Sequence, residues 1–288
     1  MDVPMAKYTW MKVGGPADFY IEPADKNDLV FLIEYFAEHN YSWMMLGRGS
    51  NVLVSDEGIR GAVINVEHAL SSIRREQDLV VAESGVRLTK FVEFCIQDGL
   101  AGVEMLAGIP GTIGGAVAMN AGAHGGEIAD HLVDVEIIRN STVQRIPKDQ
   151  ASFSYRRSCF TEDVILGASF RLPHGEKERL AAVRRECILK RNETQPLEYP
   201  NLGSMFKNPP KTHAAKLIEQ AGLKGKRIGD AQVSDKHANF IVNLGDAKAV
   251  DIVTLIDLVQ RTVYQNSGVK LELEVKMVGF PNRAKEAA

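Results

Sequence analysis

Between residues 249 and 265 apolar side chains return at helical spacing. Ile252, Leu255, Ile256, Val259 and Val263 fall on one face, and Gly268 follows where a helix stop is wanted. A helix this one-sided must pack. Directly afterwards the period changes to two: Val269, Leu271, Leu273, Val275 and Met277 alternate with Lys270, Glu272, Glu274 and Lys276. That alternation predicts a strand with all four charges on one face. Earlier in the chain, short apolar runs bounded by turn residues predict strands around 17–21, 43–46, 51–54, 62–66 and 79–82, with helices at about 26–38 and 88–97. A hairpin is expected from 133–139 to 143–146, turning through Asn140-Ser141, and an apolar strand at 163–172. Pro173-His174-Gly175 then breaks the chain before a charged helix at about 178–191. The pattern is α+β. It predicts one domain over 1–172 and a second over 173–282, with a frayed tail at 284–288.

Composition narrows the functional classes. The 288 residues are 45% hydrophobic and 25% charged, an ordinary globular balance. Lys and Arg number 34 against 37 Asp and Glu, a formal charge of −3, so the basic excess of a nucleic-acid or anionic-membrane binder is missing. No apolar run nears the roughly 20 residues that span a bilayer, and the Met1-Asp2-Val3-Pro4 start lacks the features of a signal peptide. The expectation is a cytoplasmic protein, with a monomer favoured. Cys95, Cys159 and Cys187 are odd in number and far apart, which predicts reduced, packed thiols and no metal site.

Glycine is concentrated: the stretch 99–126 holds nine of the 25. Within it, residues 108–126 are almost free of charge and bulk. A backbone this bare can approach a ligand, its N–H groups can converge on phosphate oxygens, and the apolar residues that follow can start a helix whose dipole favours the same anion. Pyrophosphate is the natural guest, and a side chain at Gly114 or Gly115 would fill space that the guest needs. The alternative is a tightly packed turn. Neither the Rossmann spacing nor the Lys-Ser/Thr ending of a P-loop is present. A second bare turn, Gly47-Arg48-Gly49-Ser50-Asn51, sits between apolar strands and on its own reads as a hairpin turn. Two such clusters in one domain suggest a dinucleotide lying between them.

Three further residues carry chemistry only weakly in the bare sequence. Arg156, in Phe153-Ser154-Tyr155-Arg156-Arg157-Ser158, suits bidentate binding of a carboxylate or phosphate, but from the bare sequence a solvated arginine pair is the stronger reading. Ser204 lies in the polar turn 201–209 without an adjacent base and is no obvious hydrolase nucleophile. Glu274 reads as one of several surface carboxylates.

Taken together, the segments 9–17, 47–51, 108–126, Tyr155-Arg156-Arg157-Ser158, 195–200, Gly203-Ser204-Met205-Phe206-Lys207-Asn208-Pro209, 231–240 and 271–275 resemble the UDP-N-acetylenolpyruvoylglucosamine reductase family, in order and over nearly the whole chain. The resemblance implies an FAD-binding unit of the vanillyl-alcohol oxidase type, made of two α+β subdomains split near residue 68, followed by a smaller α+β substrate-binding domain. Ser204 follows Arg156 by 48 positions, which leaves little room for the tyrosine-bearing loop of one branch, so the chain resembles the shorter, second type. Asp230 and Arg157 depart from the family pattern.

The implied activity is reduction of UDP-N-acetylglucosamine enolpyruvate to UDP-N-acetylmuramate for peptidoglycan synthesis, with noncovalent FAD and with NADPH as reductant. Hydride from the reduced flavin reaches the vinyl carbon, leaving enolate-like charge beside the carboxylate that cationic groups and a proton donor must meet. By resemblance Arg156, Ser204 and Glu274 are catalytic, Ser204 giving the proton; a serine hydroxyl is a poor acid in water, and Lys207 is the neighbour inferred to ease its loss. Glu274 helps only if protonated or sharing a hydrogen bond. The resemblance also implies FAD contacts at Gly47, Arg48, Gly49, Ser50, Asn51, Ser84, Gly85, Gly108, Pro110, Gly111, Thr112, Gly114, Gly115, Asn120, Ala121 and Gly122. Tyr155, Arg191, Lys207, Asn208 and His237 are the implied substrate contacts. The rivals are an FAD-dependent oxidase of the same superfamily, for which His124 leaves a flavin attachment site open, and a nucleotide-sugar binding module without turnover.

Overall fold

The computed structural model describes residues 1–280; the predicted tail and the last two residues of the predicted second domain lie outside them. Contacts divide the chain into a central unit, Tyr20–Gly47 with Ala62–Arg191, and a terminal unit, Met1–Phe19 with Arg48–Gly61 and the chain from Asn192 onward. This differs from a linear cut at residue 173, and packing explains why. The helix Lys177–Thr194 buries Leu180 and Cys187 in the same core as Phe91 and Phe170, so most of it belongs with the strands before it. Residue 68 falls inside the central unit, where Val66 and Leu70 share a core with Leu29, Ile33 and Leu166.

The central unit is built on a five-stranded antiparallel sheet. Its order is Thr142–Pro147, Leu132–Arg139, Val164–Arg171, Leu79–Glu83, Ile73–Glu76. The predicted hairpin forms as expected, with Asn140 and Ser141 both at positive φ, 50° and 57°. One face of Val164–Arg171 packs on the helix Leu88–Gln97, where Leu88, Phe91, Val92, Cys95 and Ile96 make the buried stripe. Phe91 and Phe170 meet with ring centroids 4.7 Å apart. The other face presents Val164 and Leu166 to the helix Lys26–Glu38 through Leu29, Ile33 and Phe36. Burial on both faces is why this strand reads as a continuous apolar run.

In the terminal unit the helix Ala249–Ser267 lays its predicted apolar face on the antiparallel strands Arg227–Ile228, Ala231–Val233 and Ile241–Asn243. Gly268 ends it in the left-handed conformation, φ 69°. The departure at Asp230 is a local staple. Its carboxylate accepts the Asp246 N–H at 2.9 Å and pairs with Arg227, and these bonds, the backbone one first, hold its pKa below the usual carboxylate range. Asp56 supplies the helix's N-terminal cap from elsewhere in the sequence, its two carboxylate oxygens accepting the N–H groups of Ala249 at 2.8 Å and Val250 at 3.0 Å. Asp56→Ala leaves both donors unmet, and we expect a loss of about 1 kcal/mol, read as a lower melting temperature without a change in helix content.

Two expectations fail here. The segments 43–46 and 51–54 are not the arms of a hairpin: Trp43–Met45 pairs in parallel with Ala62–Ile64, and Val52–Val54 pairs in parallel with Lys276–Val278. The alternating stretch 269–277 is not one strand either, since only Lys276–Val278 is regular. Leading into it, the backbone changes partner, Glu274 N–H bonding the Met205 carbonyl at 3.0 Å and the strand's first residue, Lys276, bonding the Asn51 carbonyl through its N–H at 3.0 Å. Glu274 is consequently half-buried, while Lys270, Glu272 and Lys276 are exposed. Of the thiols, Cys95 and Cys187 are packed, and burial pushes Cys95 up to about 12, but Cys159 is exposed. Among the described residues no helix is long and apolar enough to cross a membrane.

Candidate active site

In the central unit the glycine-rich loop leads into a helix, Ile113–Ala118, capped by Thr112, whose Oγ1 accepts the Gly115 N–H at 3.4 Å. The loop is fixed by main-chain bonds to the turn after the sheet strand: Gly114 N–H to Ser84 O and Ile113 N–H to Val86 O, both 2.8 Å. Asn65 holds the start of the Gly47–Asn51 turn, donating to the carbonyls of Leu46 at 2.9 Å and Gly47 at 3.0 Å. A Cβ on Gly47 would stand 3.0 Å from Thr112 Oγ1, so these two segments approach as only bare backbone allows.

The glycines of the loop are not equivalent. A Cβ on Gly114 would lie 2.9 Å from the Ser84 Cβ, so protein packing alone demands glycine there. On exposed Gly115 it would meet nothing closer than Thr112 Oγ1 at 3.8 Å. Near the two ends of this short helix Ser84 Oγ, beside Gly114, and Asn120 Oδ1, two residues past the helix, are buried and, among the described residues, find no hydrogen-bond partner. Buried polar atoms are seldom left so, because each costs about 1–3 kcal/mol.

Downstream, Ser154 and Arg157 exchange both backbone hydrogen bonds at 3.0 Å, putting Tyr155 and Arg156 at the tip of a tight turn with Arg156 at φ 56°. Three bonds tie the turn to the end of the glycine loop. Asn120 Nδ2 donates to Ser154 O at 2.9 Å, Arg156 Nη2 to Gly122 O at 2.8 Å and Ser158 Oγ to Ala118 O at 2.8 Å. The Arg156 guanidinium also lies 4.9 Å from the Tyr155 ring centre. The arginine pair therefore divides: Arg157 is exposed and Arg156 is half-buried and aimed. Arg191 donates to the carbonyl of Gly108, and burial pulls its pKa below the ordinary guanidinium range.

In the terminal unit Ser204 sits on a turn held from both sides. Gly203 N–H donates to Asn201 Oδ1 at 3.0 Å, and Met205 N–H donates to Asn239 O at 2.8 Å. The bond from Glu274 N–H to Met205 O brings Ser204 and Glu274 onto neighbouring chain segments, and Asn51 Nδ2 holds the Glu274 carbonyl at 3.1 Å. In the same unit Arg48 lies over Trp10, 5.8 Å from its ring centre, and Gly49, at φ 61°, has the Tyr8 carbonyl where a Cβ would go. Lys207 reaches Glu272 at 3.6 Å, and Asn208 Oδ1 accepts the Ala214 N–H at 3.0 Å at the start of the next helix. His237 Nδ1 accepts the Asn239 N–H at 3.3 Å, and burial holds the imidazole pKa below its usual range, so the neutral ring keeps its proton on Nε2 as a donor. Sequence reasoning passed over Asn201 and Asn239. The available signal was an amide between apolar neighbours, as in Ala238-Asn239-Phe240, which must find partners once buried.

The FAD binding domain family matches residues 17–144, and the C-terminal domain of UDP-N-acetylenolpyruvoylglucosamine reductase matches residues 195–278. The first of these places an FAD-binding domain over the stretch that carries the glycine-rich loop. The UDP-N-acetylenolpyruvoylglucosamine reductase of Chloroherpeton thalassium is 44% identical over 285 residues, covering 96% of this chain and 92% of its own. That of Heliobacterium modesticaldum is 42% identical, covering 96% and 89%. The crystal structure of the Thermus caldophilus enzyme superposes with a TM-score of 0.85 at 34% identity, covering 96% of this chain and 98% of its own. The chain belongs to the UDP-N-acetylenolpyruvoylglucosamine reductase family.

Proposed function

We infer that the protein is the FAD-containing oxidoreductase that reduces UDP-N-acetylglucosamine enolpyruvate to UDP-N-acetylmuramate in peptidoglycan precursor synthesis, with NADPH as reductant. The observation that carries this is the match to named reductases along nearly the full length of both chains. Bound FAD supplies the hydride that adds to the vinyl carbon. The residues fit that group: Ser84 Oγ and Asn120 Oδ1 want partners, and the backbone at Gly115 is bare. We assign FAD contacts to Gly47–Asn51, Ser84, Gly85 and the loop from Gly108 to Gly122.

Arg156, already aimed by the Gly122 carbonyl, takes the substrate carboxylate, where its fork matches two oxygens. Ser204 Oγ gives its proton to the carbon beside that carboxylate, and Lys207 steadies the charge left behind. Glu274 holds a proton or shares one at the same carboxylate, since a bare anion there would oppose the charge that develops. Tyr155, Arg191, Asn208 and the Nε2–H of His237 contact the nucleotide sugar. A monomer of the shorter type, working in the cytoplasm on a nucleotide sugar and NADPH, completes the reading.

The visible spectrum tests the activity: a yellow preparation bleached by NADPH and recoloured by the enolpyruvyl substrate, without air, is the expected result. Rapid recolouring by oxygen with indifference to that substrate would mark an oxidase instead. For the cofactor site, Gly115→Val is the informative variant because Gly114→Val strikes Ser84 whether or not flavin binds. We expect Gly115→Val to fold normally and purify colourless; full flavin content would remove the loop from the FAD site.

A further inference from the structure

We propose that Asn239 is a positioning residue for the proton-transfer step, setting the place of Ser204 relative to Glu274; the inference rests on the roles assigned to those two residues above. Its side chain is 3% exposed, and both of its polar atoms are spent on one residue. Oδ1 accepts the N–H of Phe206 at 3.0 Å and Nδ2 donates to the carbonyl of Phe206 at 2.8 Å. An amide used in this way does what a neighbouring strand would do, reading donor and acceptor of a single residue. The backbone carbonyl of Asn239 meanwhile takes the N–H of Met205 at 2.8 Å.

Three bonds from one residue thus fix the two positions that follow Ser204. The clasped segment is itself what aligns Glu274. Phe206 bridges to Leu273, Lys207 N–H donates to the Glu272 carbonyl at 2.8 Å, and Glu274 N–H donates to the Met205 carbonyl at 3.0 Å. Asn239 therefore reaches both groups through the main-chain bonds of the segment it clasps. A misplacement of about 1 Å at a reacting group costs on the order of 10²-fold in rate. Aspartate at this position cannot replace the amide when ionised, because it has no hydrogen for the Phe206 carbonyl, yet when protonated it offers one donor and one acceptor in nearly the same shape. Burial raises the pKa of such an acid, bringing its protonation into a usable range.

The test is single turnover of NADPH-reduced holoenzyme with the enolpyruvyl substrate, across pH, for wild type, Asn239→Asp, Asn239→Ala and Ser204→Ala. Titratable groups around the clasp include His237, whose Nδ1 accepts the Asn239 N–H and on which Lys224 and Glu219 act, and Lys207, Glu272 and Glu274 on the clasped segments; all are present in the wild-type profile, which is divided out. We expect Asn239→Asp to be slowed about 10²-fold at high pH, to recover as pH falls through the new acid's pKa, and to keep normal flavin reduction by NADPH and normal substrate affinity. Asn239→Ala should stay slow at every pH. If Asn239→Ala does not fold, the acid-side recovery of Asn239→Asp decides alone. Turnover by Asn239→Asp that matches wild type at all pH values, or loss that never recovers and affects flavin reduction equally, overturns the proposal. A slow Ser204→Ala beside a normal Asn239→Asp rejects the positioning role only, whereas a normal Ser204→Ala rejects the proton-donor reading beneath it.

Discussion

Ser204→Ala should bind FAD, oxidise NADPH and hold substrate much as the wild type does, while its product-forming step falls by about 10²–10⁴-fold, the usual contribution of a general acid. The turn that carries Ser204 is fixed by Asn201 and Asn239, so removing one hydroxyl does not collapse it. Cysteine at 204 should restore part of the rate. If the hydroxyl only serves the turn, the variant loses about 1 kcal/mol of stability and turns over normally. Anaerobic reduction with NADPH, addition of the enolpyruvyl substrate, and measurement of recolouring together with solvent deuterium at the carbon beside the carboxylate separate these outcomes. A wild-type rate and the same product assign the proton to another group.

Arg156→Lys should slow the same half of the cycle by about 10- to 100-fold, the worth of a charge-assisted bond lost from a bidentate pair. Charge is conserved in this change, and the planar fork is not. In this fold one arm of the fork already donates to the Gly122 carbonyl, so orientation as well as charge is invested in the guanidinium. An ammonium can serve the carbonyl or the substrate but cannot hold a fixed plane toward both. Reduction of the flavin by NADPH should remain near normal. Equal loss in both halves would instead place Arg156 in cofactor binding or folding.

The sequence was most informative where one periodicity met one surface. The helices Lys26–Glu38 and Leu88–Gln97 and the Asn140-Ser141 hairpin follow from local pattern because each is decided by a stripe or a turn within a few residues. What local pattern missed is long-range pairing. Val52–Val54 finds its partner in Lys276–Val278, and Asp56 caps a helix that begins at Ala249, relations invisible to any short window. The site divides in the same way. Gly114 and Gly115 look alike in sequence, and only the position of Ser84 tells the packing glycine from the open one. Glu274 was masked by alternation with Lys270, Glu272 and Lys276. The bonds to Met205 and Asn51 interrupt that strand and turn one of four similar charges into a half-buried group.

The outer strands of the five-stranded sheet bear on how the protein behaves in a crowded solution. An open sheet edge is a template on which another chain can pair, and long apolar edges start aggregates. Here one edge is the four-residue Ile73–Glu76, with Arg74, Arg75 and Glu76 exposed, and the other is Thr142–Pro147, which carries Arg145 and ends in a proline that has no N–H to offer. At the first edge the charged side chains, Arg74 paired with Glu76 at 2.6 Å, keep the strand short and hydrated, and the proline shortens the ladder at the second. The sheet can therefore keep the buried, apolar Val164–Arg171 strand at its centre without offering a comparable surface to its neighbours, so the protein should stay dispersed at concentrations where an uncharged edge would begin to fibrillate.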